Sequence, residues 1–164
     1  MKKILLLVTL FFTVLQLHAA ILHVPTEYES IQGAVDEALS GDTILLANGT
    51  YTENVTISGK SLTISSQFML TQQEADIDAT VWLSAADQFS PKNTIYVSGS
   101  RTYILSLSGI TFKNNPKSAM YFSGYNFKAS HLKFENNTGG ALDIWDGDAT
   151  IKHTLFESNS KGNN

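Results

Sequence analysis

Three aspartates form the densest group of residues in the chain that could do chemistry: Asp143, Asp146 and Asp148. Several oxygen ligands together can bind Ca²⁺, and paired carboxylates can catalyse the cleavage of a polysaccharide. However, Asp146-Gly147-Asp148 is also a common turn sequence. The simpler prediction is therefore a solvated turn with no catalytic residue, no metal ligand and no cofactor, and Ca²⁺ binding is the alternative.

Aromatic residues beside polar ones indicate a second kind of chemistry, the binding of sugar rings. An aromatic face can stack on a sugar while neighbouring polar side chains hydrogen-bond its hydroxyl groups. Tyr121, Tyr125, Trp145 and Trp82 stand near turns or strand ends, although some of them must belong to the core. The predicted binding residues are Arg101, Tyr121, Asp143, Trp145, Asp146 and Asp148.

A 22-residue repeat in the C-terminal half predicts the elements that position these residues. A fixed period in this range is typical of a solenoid whose rungs stack roughly 4.8 Å apart. We therefore predict an all-β parallel β-helix in which phenylalanines stack inside and asparagines stack at a turn. The residues of these two structural ladders are Phe112, Phe134, Phe156, Asn115, Asn137 and Asn159.

The same repeat weighs against catalysis. One period before the three aspartates the chain has Tyr121, Gly124 and Asn126, so only one rung supplies carboxylates. Arg101, the only arginine, lies two rungs from the aspartates, which is roughly 10 Å. The spacing therefore predicts a lone surface arginine.

One amphipathic helix is predicted ahead of the strands. Thr26 and Glu29 form a capping box, and apolar residues follow at helical spacing over residues 31–39. Gly41 is predicted to end this helix. A single helix in this place predicts a cap on the N-terminal end of the solenoid.

Short strands with turns between them follow the helix. We predict strands at 42–47, 55–57, 62–64, 80–83, 95–97, 119–122 and 141–144, with one of the turns at 48–50. Residues 67–93 break the pattern, and a loop or an irregular longer rung is predicted there.

Residues 1–19 are predicted to be a secretory signal peptide, and residues 20–164 the β-helix domain. The chain starts with Met1-Lys2-Lys3, continues with apolar residues to position 17 and has small residues at the cleavage point. Without Lys2 and Lys3 the 11 basic residues become 9 against 15 acidic ones, a net charge of −6 with neutral His. A secreted or cell-surface protein that binds no nucleic acid is expected.

The repeat stops after Asn159, although Gly162 lies one period after Gly140 and would begin a further rung. Terminal repeats normally differ from internal ones, so the domain is predicted to be truncated at its C-terminus. An uncapped rung exposes strand edges. Self-association through that rung is the alternative.

Two parts of the chain resemble known families. Residues 23–64 (including SIQGAVDEALSGDTILLANGTYTENVTISGKSLTI) resemble the start of right-handed parallel β-helix proteins of the pectin-lyase-like superfamily, and Gly49-Thr50-Tyr51-Thr52-Glu53 is similar to the G-x-Y-x-E motif of pectin methylesterases. The Phe-x-x-Asn repeats and Gly139-Gly140-Ala141-Leu142 resemble motifs of chlamydial polymorphic outer-membrane proteins. The resemblance implies a right-handed β-helix at the cell's outer surface, and the matched residues are structural.

We therefore expect a secreted or surface-exposed noncatalytic protein, adhesin-like or glycan-binding, with a polysaccharide or surface glycan as its partner. The alternative is a fragment of a carbohydrate-active enzyme, either a polysaccharide lyase or an esterase. A lyase resembling the pectate lyases would use a basic residue such as Arg101 beside Ca²⁺. In that case the rest of the catalytic site would lie in further rungs.

Overall fold

The computed structural model describes residues 19–85 and 92–160, which form mostly short strands. In chain order the elements are β1 (Ile21–Val24), α1 (Ile31–Glu37), β2 (Thr43–Leu46), β3 (Gly49–Thr52), β4 (Val55–Ser58), β5 (Leu62–Ser66), α2 (Phe68–Thr71), α3 (Glu74–Ala79), β6 (Thr80–Leu83), β7 (Ile95–Ser98), β8 (Ile104–Ser108), β9 (Thr111–Lys113), β10 (Met120–Ser123), β11 (Asn126–Ser130), β12 (Lys133–Glu135), β13 (Leu142–Asp146), β14 (Ala149–Lys152) and β15 (Leu155–Glu157).

The strands form three parallel sheets. The six-stranded sheet has the order β1-β2-β5-β8-β11-β14, the five-stranded sheet β15-β12-β9-β6-β3 and the four-stranded sheet β13-β10-β7-β4. From β7 onward the chain visits the three sheets in turn, and each strand pairs with the strand three places earlier. The prediction of a mostly β chain with stacked parallel strands is confirmed, and this arrangement is compatible with a parallel β-helix.

The register differs between the sheets because the turns differ in length. In the five-stranded sheet Phe134 pairs with Phe112 and with Phe156, each one period of the repeat away. In the four-stranded sheet Met120 pairs with Ile95, an interval slightly longer than the period. The turn at 99–103, between β7 and β8, is longer than the turn at 124–125, between β10 and β11. The longer turn carries Arg101, which therefore departs from the strict repeat.

Helix α1 begins later than predicted, so the prediction of a capping box at Thr26 and Glu29 is wrong. Ser30 is the N-cap, and its Oγ accepts a hydrogen bond from the backbone N–H of Gly33 at 3.0 Å. The helix ends at Glu37, before the predicted stop at Gly41. The helix is thus short, and residues from elsewhere in the chain satisfy both of its ends.

Glu53 and Lys60 supply these end contacts. The Glu53 carboxylate accepts hydrogen bonds from the first two backbone N–H groups of α1 at 2.9 and 3.0 Å. Lys60 Nζ donates to the carbonyl oxygens of Val35 and Ala38 at 2.8 and 2.7 Å. Both charges suit the helix dipole. The Glu of the Gly49–Glu53 motif therefore holds the helix against the sheets.

In this half one local prediction is wrong, and a second loses one of its two alternatives. Residues 48–50 do not form a turn, because Gly49 begins β3 and pairs with Thr80 of β6. For residues 67–93 the sequence predicts a loop or an irregular longer rung, and the loop alternative is wrong, because the described part contains α2 and α3. The strand predicted at 80–83 is confirmed as β6. Local sequence misled here because the strand partner of Gly49 lies far along the chain, beyond two intervening strands and two helices.

A column of aromatic rings runs through the interior beside the five-stranded sheet. Phe112 and Phe134 are buried, and their ring centroids are 5.3 Å apart. Phe134 stacks on Phe156 at 5.0 Å, and Trp82 stacks on Phe112 at 5.6 Å. Phe156 is 48% exposed because no described strand lies beyond β15. Among the described residues the column therefore holds four rings and is best packed in its middle.

A second column consists of the asparagine side chains at the turns after β9, β12 and β15. Asn115 donates from its backbone N–H and its Nδ2 to Asn137 Oδ1 at 3.0 and 2.7 Å. Asn137 donates to Asn159 Oδ1 in the same way, at 3.1 and 2.7 Å. The Nδ2 groups of Asn137 and Asn159 also donate to the carbonyl oxygens of Phe112 and Phe134. Each amide therefore satisfies buried backbone groups of its neighbouring turn.

The last described strands, β14 and β15, are exposed along their whole length. Ile151, Leu155 and Phe156 are their large exposed apolar residues. Within residues 19–85 and 92–160, no helix is long and apolar enough to cross a membrane. The predicted leader, apart from Ala19, and the start of a further rung at 161–164 lie outside the described residues. Truncation and self-association stay predictions.

Candidate functional site

The outward side of the four-stranded sheet carries a column of four residues that we call the tyrosine face: Thr56, Tyr96, Tyr121 and Asp143. Strand pairing places them in register, one on each of β4, β7, β10 and β13. Their neighbours on each strand are mostly buried, so these four side chains point away from the core. The face is thus a continuous outer surface that crosses four strands.

The two tyrosines of this face form an almost parallel pair. The ring centroids of Tyr96 and Tyr121 are 5.2 Å apart, and the ring planes differ by 1°. Tyr96 is 41% exposed, whereas Tyr121 is half-buried between its neighbours. Tyr121 covers one face of the Tyr96 ring. The opposite face lies toward the small residue Thr56, because Thr56 is the next residue in the register.

A groove of about 280 Å³ lies beside Tyr96, on the side of its register partner Thr56. We call it the tyrosine groove, and its lining residues are Asn54, Val55, Thr56, Lys92, Asn93, Tyr96 and Lys117. Asn54 Nδ2 donates to Ser84 Oγ and to the carbonyl oxygen of Asn93, both at 2.8 Å, which fixes the floor. The groove therefore combines an aromatic wall, a fixed amide and two ammonium groups.

The two carboxylates of β13, those of Asp143 and Asp146, have separate partners, and Asp148 after the strand makes a backbone contact. Ser118 Oγ donates to Asp143 Oδ2 at 2.5 Å, and Arg101 Nε donates to Asp146 Oδ1 at 2.8 Å. The backbone N–H of Asp148 donates to Asn126 Oδ1 at 2.9 Å. Among the described residues, no group of three or more His, Cys, Asp or Glu side chains is arranged to hold a metal ion.

The prediction that Arg101 is a lone surface arginine is wrong, because it forms an ion pair with Asp146 across two rungs. The Asp146 contact raises the pKa of Arg101, and the charge of Asp148 adds to this. The Arg101 hydrogen bond lowers the pKa of Asp146. Both side chains are more than half exposed, so the pair is screened by solvent.

Trp145 is the most exposed large aromatic residue described, at 76%. Its position follows from a β-bulge: Phe122 pairs with Ile144 but Ser123 pairs with Asp146, so Trp145 has no partner in β10. A bulge bends the strand and re-aims the extra side chain. The bulge also shifts Asp146 by one position from the strict register of the repeat.

Two aromatic residues considered for sugar stacking are core residues. Trp82 is fully buried at the end of the phenylalanine column, and its Nε1 donates to the carbonyl oxygen of Glu53 at 3.1 Å. Tyr125 is also fully buried, and its hydroxyl group bonds the backbone N–H and carbonyl of Lys60 at 3.0 Å each. Burial raises the pKa of Tyr125. Both polar tips are therefore used within the fold.

The sequence prediction missed Tyr96 and the lysines of the tyrosine groove. Tyr96 lies between Ile95 and Val97, which are both buried. Because side chains alternate along a strand, the Tyr96 side chain points outward. Its partner Tyr121 lies further along the chain than one period, so a search at the interval of the repeat does not align the two. Lys92 and Lys117 carried no sequence signal, because each stands in a stretch outside the strands.

No protein-family model, curated protein or solved structure matches this chain. The resemblance to pectin-lyase-like and chlamydial outer-membrane proteins therefore stays a prediction, and the geometry above is the basis for a functional proposal.

Proposed function

We propose that this chain belongs to an exported, noncatalytic β-helix protein that binds glycans on its tyrosine face. The observation that carries this proposal is the Tyr96–Tyr121 pair. It presents a half-exposed aromatic ring, backed by a second ring, above a groove with polar walls. An aromatic ring held in place by a second ring offers a flat apolar surface on which a ligand can pack.

The proposal includes the finer features of the fold. We propose a right-handed β-helix whose rungs have the length of the sequence repeat, since the pairs of the five-stranded sheet support this interval. We also propose that α1 caps the N-terminal end. Buried Ile31, Ala34 and Val35 support this role by removing the apolar side of the helix from water.

A sugar ring suits the tyrosine groove for two physical reasons. Its C–H groups pack on an aromatic face, and its hydroxyl groups need hydrogen-bond partners close by. The Tyr96 ring supplies the first, and Thr56 and Asn54 stand beside it. Parallel strands also repeat Ser58, Ser98 and Ser123 as a second outward column. A long glycan lying across the strands therefore meets a serine hydroxyl group on each of β4, β7 and β10.

The test is a glycan array probed with the purified protein and with Tyr96→Ala, followed by calorimetry on the strongest glycan. We expect the substitution to weaken binding by about 10-fold or more, which corresponds to about 1.4 kcal/mol. Phe156→Ala is the matched control, because Phe156 is also about half exposed and stacked on one ring, but on another sheet. We expect Phe156→Ala to bind as the wild type does.

Two results would contradict the proposal. One is the absence of any bound glycan on an array that the folded wild-type protein has probed. The other is equal affinity of the wild type and Tyr96→Ala, with circular dichroism showing that both are folded.

A further inference from the structure

The basic side chains of the described residues divide into two groups. Four have partners within the fold: Lys60 at the end of α1, Arg101 with Asp146, Lys113 with Glu135 and Lys133 with Asp78. The other four, which are Lys92, Lys117, Lys128 and Lys152, have no hydrogen-bond or ion-pair partner for their side chains in the described part of the chain. The first group serves the structure, and the second is available to a ligand.

The four unpaired lysines lie in two grooves. Lys92 and Lys117 line the tyrosine groove. Lys128 and Lys152 line a groove of about 310 Å³ on the six-stranded sheet, where the other residues are Ser106, Leu107, Ser108, Ala129, Ser130 and Thr150. Among the described residues, neither groove is lined by a carboxylate. In a chain with 15 acidic residues against 11 basic ones, this separation of charge favours an anionic ligand.

We propose that the tyrosine groove binds an anionic sugar residue, whose ring packs on Tyr96 and whose carboxylate or sulfate group is bound by Lys92 and Lys117. This inference rests on the proposed function and narrows its ligand class. A lysine ammonium is a flexible point charge with three donors, so two of them lining one groove can meet one anionic group. Neutral sugars leave both charges without a partner.

The chemistry of the two grooves differs in one respect. Among the described residues that line it, the groove on the six-stranded sheet has lysines and hydroxyl groups but no aromatic residue. It can attract an anion, but it lacks a surface on which a sugar ring packs. Of the two, only the tyrosine groove joins the ring surface to the positive charge, and this makes the second groove a control of similar charge.

The test uses octasaccharides of hyaluronan and of alginate, each beside its carboxyl-reduced neutral form, with a heparin octasaccharide as the sulfated probe. Affinities are measured by calorimetry for the wild type, for Lys92→Gln/Lys117→Gln and for Lys128→Gln/Lys152→Gln. Both double variants lose the same charge. We expect the wild type to bind an acidic probe about 10-fold more tightly than a neutral one. We expect only the first double variant to lose that preference.

The outcomes separate the two proposals. Equal, Tyr96-dependent binding of acidic and neutral forms overturns the anionic ligand and leaves glycan binding intact. Loss of the preference in Lys128→Gln/Lys152→Gln alone also overturns it, because the anion then lies in the other groove. Binding of heparin alone supports the inference and assigns sulfate as the anionic group. If the wild type binds none of the probes and no glycan on the array, both proposals fall.

Discussion

One column of stacked aromatic rings lies inside the molecule, and another lies on its outer surface. Phe112 and Phe134 stack at 5.3 Å in the core, and Tyr96 and Tyr121 stack at 5.2 Å on the surface. Phe112 is fully buried, whereas Tyr96 is 41% exposed. The stacking distance is nearly the same because strand spacing sets it in both places. What differs is the surroundings of each column, and these decide its role.

The inner column is surrounded by groups that are fully used by the fold. The asparagines beside it bond one another and the backbone, and in the described part no buried side-chain nitrogen or oxygen lacks a partner. The outer column borders lysines that have no partner within the described residues. One stack therefore contributes stability, and the other is available for recognition.

The largest expected effect comes from Phe134→Ala, which removes a ring from the middle of the inner column. We expect unfolding free energy to fall by about 3–5 kcal/mol, because the ring is buried between Phe112 and Phe156. Tyr96→Ala is the matched change in the outer column. Its cost should stay below about 1 kcal/mol. Urea unfolding of both variants measures the difference, and equal costs would remove the distinction between the columns.

The next effect, about 2–4 kcal/mol, is expected for Asn137→Ala. This substitution leaves the backbone N–H and Nδ2 of Asn115 without their acceptor in a buried turn. Asn126→Ala is the control, because Asn126 also makes two amide bonds to neighbouring turns, but at an exposed site. Water can replace those bonds, so we expect a loss of about 1 kcal/mol or less. A similar loss in both variants, measured by urea unfolding, would contradict the role assigned to the buried column.

These columns also show what the sequence could predict. A strict period is enough to identify which residues meet, so the phenylalanines and asparagines could be assigned to stacks from their spacing alone. The same rule misplaced Arg101 and Asp146, because a longer turn and a bulge shift the register between them. Glu53 as the partner of the helix N-terminus could not be predicted either, since that contact depends on how α1 lies on the sheets.

The third effect concerns the first ring of the inner column. Trp82→Phe keeps a ring stacked on Phe112 but removes the donor to the Glu53 carbonyl oxygen. We expect a loss of about 1–2 kcal/mol in thermal or urea unfolding, because the partly buried Glu53 carbonyl then lacks this donor. Trp145→Phe is the control. Trp145 is 76% exposed, so its substitution should change stability by less than about 0.5 kcal/mol. A stability loss in Trp145→Phe would mean that the bulge also contributes to the fold.

The smallest effect lies on the outer side, at the Arg101–Asp146 pair. The Arg101 hydrogen bond lowers the pKa of Asp146 below its ordinary value of 3.8, so the pair stabilises the fold above that value. The contribution is lost as the pH falls through the lowered pKa of Asp146, and solvent screening keeps it small. We expect Arg101→Gln to return the pKa of Asp146 toward 3.8 in a carboxyl NMR titration. Lys113→Gln, which breaks another surface pair, should leave it unchanged. If Asp146 titrates alike in the wild type and Arg101→Gln, the two residues do not pair in solution. In that case strand pairing alone, without the Arg101–Asp146 ion pair, would fix this part of the outer surface.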